Sequence, residues 1–284
     1  MNVLVTGACG QLGHDVCCRL AQLGVSHKGI DQADCDLTDA TRAREVILAA
    51  APDAVVHCAA YTAVDKAESD GERCRSVNVG ATENVARACA ECGAKMMYIS
   101  TDYVFSGEGD EPFEVDDPKQ PQNVYGSTKY DGELAVQELC PEHFILRISW
   151  AFGVGGGNFV KTMIRLGAEQ QEVRVVCDQV GSPTYTVDLA RLICQMIRTQ
   201  RYGVYHATNE GFCSWYEFAQ AIMAQCGLDC QVIPVLSQDY PSAAKRPHNS
   251  RLSKASLDDA GFARLPPWQD ALRRYLVQIR GAGG

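Results

Sequence analysis

The sequence contains no uninterrupted apolar run long enough to cross a bilayer, which takes about 20 residues as a helix, and no membrane-spanning role is expected. Positive charge is also short: 26 Lys and Arg face 35 Asp and Glu, for a net charge of −9. That balance argues against a nucleic-acid or anionic-membrane surface and still leaves room for a local anion pocket. There is no internal repeat and no low-complexity tract, so a solenoid or a disordered array is excluded. The 14 cysteines form no paired Cys-x-x-Cys framework, and no cluster of His, Cys and carboxylates has metal-ligand spacing. No metal is expected. Cysteines such as Cys18, Cys58, Cys89, Cys177 and Cys194 read instead as small buried hydrophobes in a reducing compartment. Met1-Asn2-Val3-Leu4-Val5 opens directly as a strand, so no signal peptide is expected and the cytoplasm is the expected location.

What is present is the composition of a globular enzyme, 46% hydrophobic and 21% charged over 284 residues, enough to bury a full core. Short apolar runs alternate with longer amphipathic segments in the first half, the pattern of a parallel sheet covered on both faces. Val3–Val5, Ala54–Cys58, Met96–Ser100 and His143–Arg147 read as strands, and Gln11–Leu23 and Cys74–Glu91 as helices. In the second helix Val77, Ala81, Val85 and Ala88 form the apolar stripe. Beyond Trp150 the pattern loosens into a glycine-rich loop at Gly153–Gly157 and helices at Asn158–Gly167, Asp188–Arg198 and Ser214–Cys226, the last capped by Ser214. Gly203–His206 reads as a short strand, and Val232–Leu265 is richer in proline and polar residues.

The expected fold class is α/β: a Rossmann-type doubly wound parallel sheet with a smaller, discontinuous C-terminal substrate-binding region. Residues 1–150 form the nucleotide-binding domain, to which 178–228 return, and 151–177 with 229–284 form the second region.

Gly7-Ala8-Cys9-Gly10-Gln11-Leu12-Gly13 lies between the first strand and the first helix. Glycines there permit a tight turn and close approach of backbone to a pyrophosphate, which the N–H groups of the helix N-terminus stabilise. The spacing is Gly-x-x-Gly-x-x-Gly, so the motif gains its specificity from this strand-turn-helix context. Asp31 ends the second strand, where an acid binds the adenosine ribose of a dinucleotide, and Asp36-Leu37 is placed to flank the adenine. An acid at position 31 disfavours the 2′-phosphate of NADP, yet His27 and Lys28 lie close by, so the choice between NADPH and NADH stays open. Tyr125-Gly-Ser-Thr-Lys129 sets a phenol and an ammonium one helical turn apart. A protonated Lys129 beside Tyr125 would lower the phenol pKa and equip it for proton transfer.

These stretches, with Ser100-Thr101-Asp102-Tyr103-Val104-Phe105, resemble the extended short-chain dehydrogenase/reductase family, and within it the reductases of nucleotide-activated 4-keto deoxysugars. Ala60–Glu68, Arg147–Trp150 and Arg246–Leu252 match as well, in order and over nearly the whole chain. The resemblance implies that Tyr125 protonates the sugar C4 oxygen as a nicotinamide hydride arrives, that Lys129 holds the nicotinamide ribose and depresses the Tyr125 pKa, and that Thr101 hydrogen-bonds the same carbonyl. It implies that Ala59, Ala60 and Tyr61 line the cofactor, NADPH or NADH, and that Asp102 and Trp150 lie along the sugar. Arg246 and Asn249, in the one local basic cluster, would meet the substrate diphosphate.

Sugar-nucleotide dehydratases of this fold carry an acidic Asp-Glu pair after the strand threonine. Here the pair is Asp102-Tyr103, which disfavours elimination. Some bacterial relatives form homodimers through a magnesium ion held by glutamates, and Asp15 stands at one of those positions, which puts the metal in doubt. Two rivals share the resemblance: a nucleotide-sugar epimerase that keeps its cofactor bound, and a non-catalytic regulatory partner of methionine adenosyltransferase.

Overall fold

The structure is a computed structural model that describes residues 1–240 and 242–281. Six strands form one parallel sheet: β1 (Asn2–Thr6), β2 (Ser26–Ile30), β3 (Ala54–His57), β4 (Lys95–Thr101), β5 (His143–Ile148) and β6 (Gly203–His206). Their order across the sheet is 2-1-3-4-5-6, every neighbouring pair parallel. Chain order reverses between β1 and β3, and a ligand crevice opens beyond the carboxyl ends of strands at such a switch point.

Strand alternation decides which face each side chain joins. Val3, Val5, Val56, Met97 and Phe144 pack against α1 (Gln11–Gln22) and, from late in the chain, the helix Thr186–Met196. Leu4, Val55, Met96, Tyr98 and Ile145 point to the opposite face, under α2 (Ala40–Ala50), α3 (Ala81–Cys92) and α4 (Val124–Leu139). Both faces are covered, which is why these strands read as continuous apolar runs. The Asp39 side chain caps α2 by accepting from the Thr41 and Arg42 N–H groups, and the Asn123 Oδ1 caps α4 by accepting from the Gly126 N–H at 2.7 Å.

The expected continuous helix over Cys74–Glu91 is divided. A short helix at Gly71–Arg75 runs through a π turn at Ser76–Gly80 into α3. The extra residue in that turn rotates the apolar stripe, so Val79 is buried while Val77 faces a cleft. Among the cysteines, Cys89 and Cys194 are buried and Cys58 and Cys177 partly so, but Cys18 is exposed on the solvent side of α1. The expectation of a buried Cys18 is corrected because the inner stripe of α1 is Leu12, Val16 and Leu20.

A second core lies beyond the sheet. It joins α5 (Phe159–Glu169), the strands Glu172–Val176 and Gln231–Val235, α7 (Trp215–Cys226) and α8 (Trp268–Gly281) through Phe152, Val173, Phe218 and Tyr275. The helix Thr186–Met196, hereafter α6, and β6 lie with the main sheet, whereas α7 packs in the second core. The strand Gln231–Val235 and the helix α8 fall where the sequence pattern gave no element. The Glu217 carboxylate and Ser214 hydroxyl complete a capping box at the start of α7, and Gly227, at φ 67°, ends it.

Asp188 on α6 ties the two cores together. Its carboxylate accepts from the Arg274 guanidinium of α8 at 2.6 and 2.8 Å and from the Asn209 amide at 3.0 Å, with its side chain almost fully buried. Without Arg274 the buried Asp188 carboxylate keeps only the Asn209 amide and a longer, 3.5 Å contact with Arg191. Arg274→Leu is therefore expected to destabilise the fold by about 3 kcal/mol in urea unfolding. A loss below about 1 kcal/mol would show that the clamp is replaceable.

Candidate active site

The crevice at the switch point is a cleft of about 880 Å³. The first turn brings Gly7, Gly10, Gln11, Leu12 and Gly13 to it, and the segment after β2 brings Asp31, Asp36 and Leu37. Ala59, Ala60 and Tyr61 enter from the end of β3, Thr101 and Asp102 from the end of β4, Tyr125 and Lys129 from α4, and Trp150 from beyond β5. Residues scattered over most of the first half thus share one wall.

Close backbone approach makes the cofactor side of the cleft. Gly7 has φ 66°, and a Cβ there would sit 2.7 Å from the Ala59 nitrogen. A Cβ on Gly13 would strike the Gly7 carbonyl oxygen. Only glycines allow the first turn, α1 and the segment after β3 to meet. Gly10 caps α1 without a side-chain bond, and the first turn holds no acid, so the helix N-terminus presents free N–H groups. That is the donor set a pyrophosphate requires. The Gln11 Oε1 accepts from the Gly153 N–H at 2.8 Å and from the Asn158 amide at 2.9 Å, fastening the turn to the glycine-rich loop.

Asp31 accepts from the Cys9 and Gln32 backbone N–H groups, both at 2.8 Å. Partial burial pushes its carboxyl up, but these hydrogen bonds outweigh it and hold the pKa below the usual value. The carboxylate therefore stays ionised where a ribose would lie. Asp36, bonded by the Thr38 hydroxyl and N–H, is held low as well, with Arg73 contributing.

The proton-handling end is dry. Thr101, Asp102 and Lys129 are each 5% exposed or less. Burial lowers Lys129 to about 7, against the pull of Glu133. The ammonium lies over the Tyr98 ring, 4.0 Å from its centroid. Burial also raises Tyr125 above the ordinary phenol value, a rise that the Thr101 hydroxyl opposes and Asp102 and Tyr103 reinforce. This corrects the expectation that Lys129 depresses the Tyr125 pKa. Desolvation of the phenolate dominates, and a lysine that is itself desolvated has little charge to offer. The consequence suits an acid that must keep its proton until it is needed. Asp102 is raised to about 6 by burial, opposed by the Ser250 and Thr101 hydroxyls. Its Oδ1 accepts from Thr101 at 3.0 Å, and its buried Oδ2 has no partner among the described residues.

The RmlD substrate binding domain family matches residues 1–280. The chain belongs to the RmlD family. SpsK of Bacillus subtilis, a spore coat polysaccharide biosynthesis protein, is 40% identical over 281 residues, with 99% of each chain covered. The dTDP-4-dehydrorhamnose reductase of Escherichia coli is 38% identical over 293 residues, with 98% of each covered. A solved dTDP-4-dehydrorhamnose reductase from Bacillus anthracis, in complex with NADP, has a TM-score of 0.95 at 41% identity, covering 98% of this chain and 99% of that one.

Within this RmlD family framework, two expected substrate residues are not among those lining the cleft. Asn249 is 1% exposed, its amide donating to the Glu111 carbonyl at 2.8 Å and its oxygen accepting from the Arg251 N–H and guanidinium. It is spent on holding a loop. Arg246 pairs with Asp65 at 2.6 Å and approaches the Tyr103 hydroxyl at 3.5 Å. Lys245 pairs with Glu108, so two cations of the basic cluster are already held by carboxylates from elsewhere in the chain. Asp15 is buried and accepts from the Thr186 hydroxyl at 2.5 Å, joining α1 to α6. No group of three metal-ligating side chains occurs among the described residues.

Sequence reasoning gave no role to four residues that shape the site. Asn78, buried in the π turn, accepts from the Tyr61 N–H at 2.8 Å and donates to its carbonyl, holding the segment after β3. The π turn was invisible because its sequence fits an ordinary helix. Glu133 and Arg147, 1% and 2% exposed at their side chains, pair at 2.7 Å behind Lys129, and the Ser100 hydroxyl donates to Glu133 at 2.5 Å. The i to i+4 spacing from Lys129 to Glu133 was the available signal. Trp215, at the start of α7, reaches the cleft from the second core.

Lys129 makes the cleft a liability when it is empty. Its folded pKa of about 7 lies below the ordinary 10.5, so between those values the unfolded chain holds a proton that the folded protein lacks. Stability from this group is present above about 10, falls as pH drops, and is gone below about 7. Lys129→Met in the cofactor-free protein is expected to raise Tm, by an amount that grows as pH falls from about 10 to 7 and then levels. A pH-independent difference in thermal scans would refute this account.

Proposed function

We propose that the protein is an NAD(P)H-dependent reductase of the C4 ketone of a nucleotide-activated deoxysugar, converting dTDP-4-dehydro-L-rhamnose to dTDP-L-rhamnose. One observation carries the reading: Thr101, Tyr125 and Lys129 share a single cleft with a glycine turn and the uncapped N-terminus of α1. The relatives named dTDP-4-dehydrorhamnose reductase, similar over their whole length, supply the substrate.

A bound NADPH or NADH supplies the hydride. The first turn and α1 hold the pyrophosphate, Asp31 the adenosine ribose, and Asp36 with Leu37 flanks the adenine, while Ala59, Ala60 and Tyr61 line the cofactor's path. Lys129 holds the nicotinamide ribose hydroxyls. The Thr101 hydroxyl orients the C4 carbonyl, and the neutral Tyr125 phenol delivers a proton to the C4 oxygen as the carbon is reduced. Burial favours the protonated phenol, the form a general acid needs. Asp102 and Trp150 lie along the sugar. Arg246 reaches the diphosphate only after loosening from Asp65. With Tyr103 next to Asp102, no second carboxylate stands ready for elimination, which favours simple reduction. In this reading residues 1–150, with the return through α6 and β6, hold the cofactor. Residues 151–177, α7, the strand Gln231–Val235 and α8 form the sugar side; the expected boundary at 229–284 is corrected because Leu257, Phe262 and Leu265 pack into the core of the main sheet.

Mixing the protein with NADPH or NADH and dTDP-4-dehydro-L-rhamnose should oxidise the cofactor, followed by absorbance. Tyr125→Phe should cut kcat by about 10²–10⁴-fold, the usual worth of a positioned general acid, with cofactor affinity nearly unchanged. Undiminished turnover by that variant, or none by the wild type, would sink the reading.

A further inference from the structure

Trp150 is one of two non-glycine residues with positive φ among those described, at 50°. The other, Ala51, ends a helix, where such a conformation is common. A bulky residue held this way at a cleft is an outlier whose surroundings must enforce it. The backbone is clamped from both sides. The Trp150 carbonyl accepts from the Thr184 N–H at 3.2 Å, the Thr184 hydroxyl donates to the Ser149 carbonyl at 2.6 Å, and the Ser149 hydroxyl donates to the Ser182 carbonyl at 2.7 Å.

The indole is clamped as well. Trp215 stacks on it with ring centroids 3.7 Å apart and planes 16° from parallel. Gly181 also lies against it, where a Cβ would come within 3.0 Å of the Trp150 Cε2. Both contacts are registered by one small sheet in which Cys213–Ser214 and Asn249–Ser250 flank Val180–Gly181. Phe159 backs Trp215 at 4.5 Å, and the capping box fixes the end of α7 that Trp215 begins. Both indoles line the cleft, whereas the third tryptophan, Trp268, is buried in the second core.

We propose that Trp215 is a positioning residue for the sugar nucleotide: by stacking on Trp150 it presets that indole, so the substrate does not have to order it on binding. The inference rests on the reductase reading and adds a residue from the second core to the sugar side of the site. It sets affinity for the sugar nucleotide rather than for the cofactor, because Trp215 comes from the second core and its ring is engaged with Trp150 and Phe159.

The test compares Trp215→Leu, which keeps an apolar side chain but removes the ring face, with Trp215→Phe, which restores one. Trp215→Leu should raise KM for dTDP-4-dehydro-L-rhamnose about tenfold, the order expected when a preset side chain must be ordered by its ligand, with kcat and the NADPH Kd nearly unchanged. Trp215→Phe should recover most of that loss. The stacked indoles should also give an exciton signal in circular dichroism that dTDP-L-rhamnose perturbs in the wild type. A KM unchanged in Trp215→Leu, a loss shared equally by NADPH, or no recovery in Trp215→Phe would overturn the proposal while wild-type turnover left the reductase reading standing. Absence of wild-type turnover together with no response of the indoles to dTDP-L-rhamnose would remove both.

Discussion

The meeting of three backbones at the carboxyl edge of the sheet is the constraint on which the rest depends. Gly7 turns against Ala59 while Gly13 lies against the Gly7 carbonyl, so that β1, α1 and the segment after β3 converge with no side chain between them. The crevice opens there because chain order reverses between β1 and β3. Close packing leaves the N–H groups of α1 as the natural lining. Asn78 extends the same principle from the far side, since the π turn brings its amide to both backbone groups of Tyr61.

Burial rather than charge pairing sets the chemistry inside. Tyr125 is held as a neutral acid, Lys129 is brought near neutrality and Asp102 is raised to about 6, each with desolvation as the largest cause. A cleft of this kind is unstable by itself and suited to a charged ligand that restores partners. The Glu133–Arg147 pair is buried on the opposite side of Lys129, where full hydrogen bonding compensates both charges. Its nearness to the site lets it bias Lys129 without entering the cleft.

The two cores contribute differently. The sheet and its helices supply a rigid floor, and the second core supplies aromatic surface that reaches over it. Trp150 joins them: it lies just beyond β5, yet its ring stacks on Trp215, which Phe159 backs in the second core. Asp188 and Arg274 fix the relation between the cores with a buried bidentate pair, so the overhanging wall cannot shift far.

Much of this was legible in the residues. The glycine spacing, the alternating strands, Asp31, Thr101 and the Tyr125/Lys129 pair are local patterns, and local patterns determine strand, turn and helix because backbone sterics act over a few residues. The charge states at the pair were not legible, since Lys129 beside Tyr125 in sequence suggested a depressed phenol pKa while the folded cleft raises it. Nor were the commitments of Asn249 and Arg246 to Glu111 and Asp65, or the stacking of Trp215 on Trp150. Each depends on which distant segments share a neighbourhood and on how much water they exclude. The sequence by itself determined the sheet, its glycine turn and which side chains are candidates for the site; tertiary structure alone decided their solvation, their partners and the second-core wall that faces them, because desolvation and long-range contact do not exist until the chain has packed.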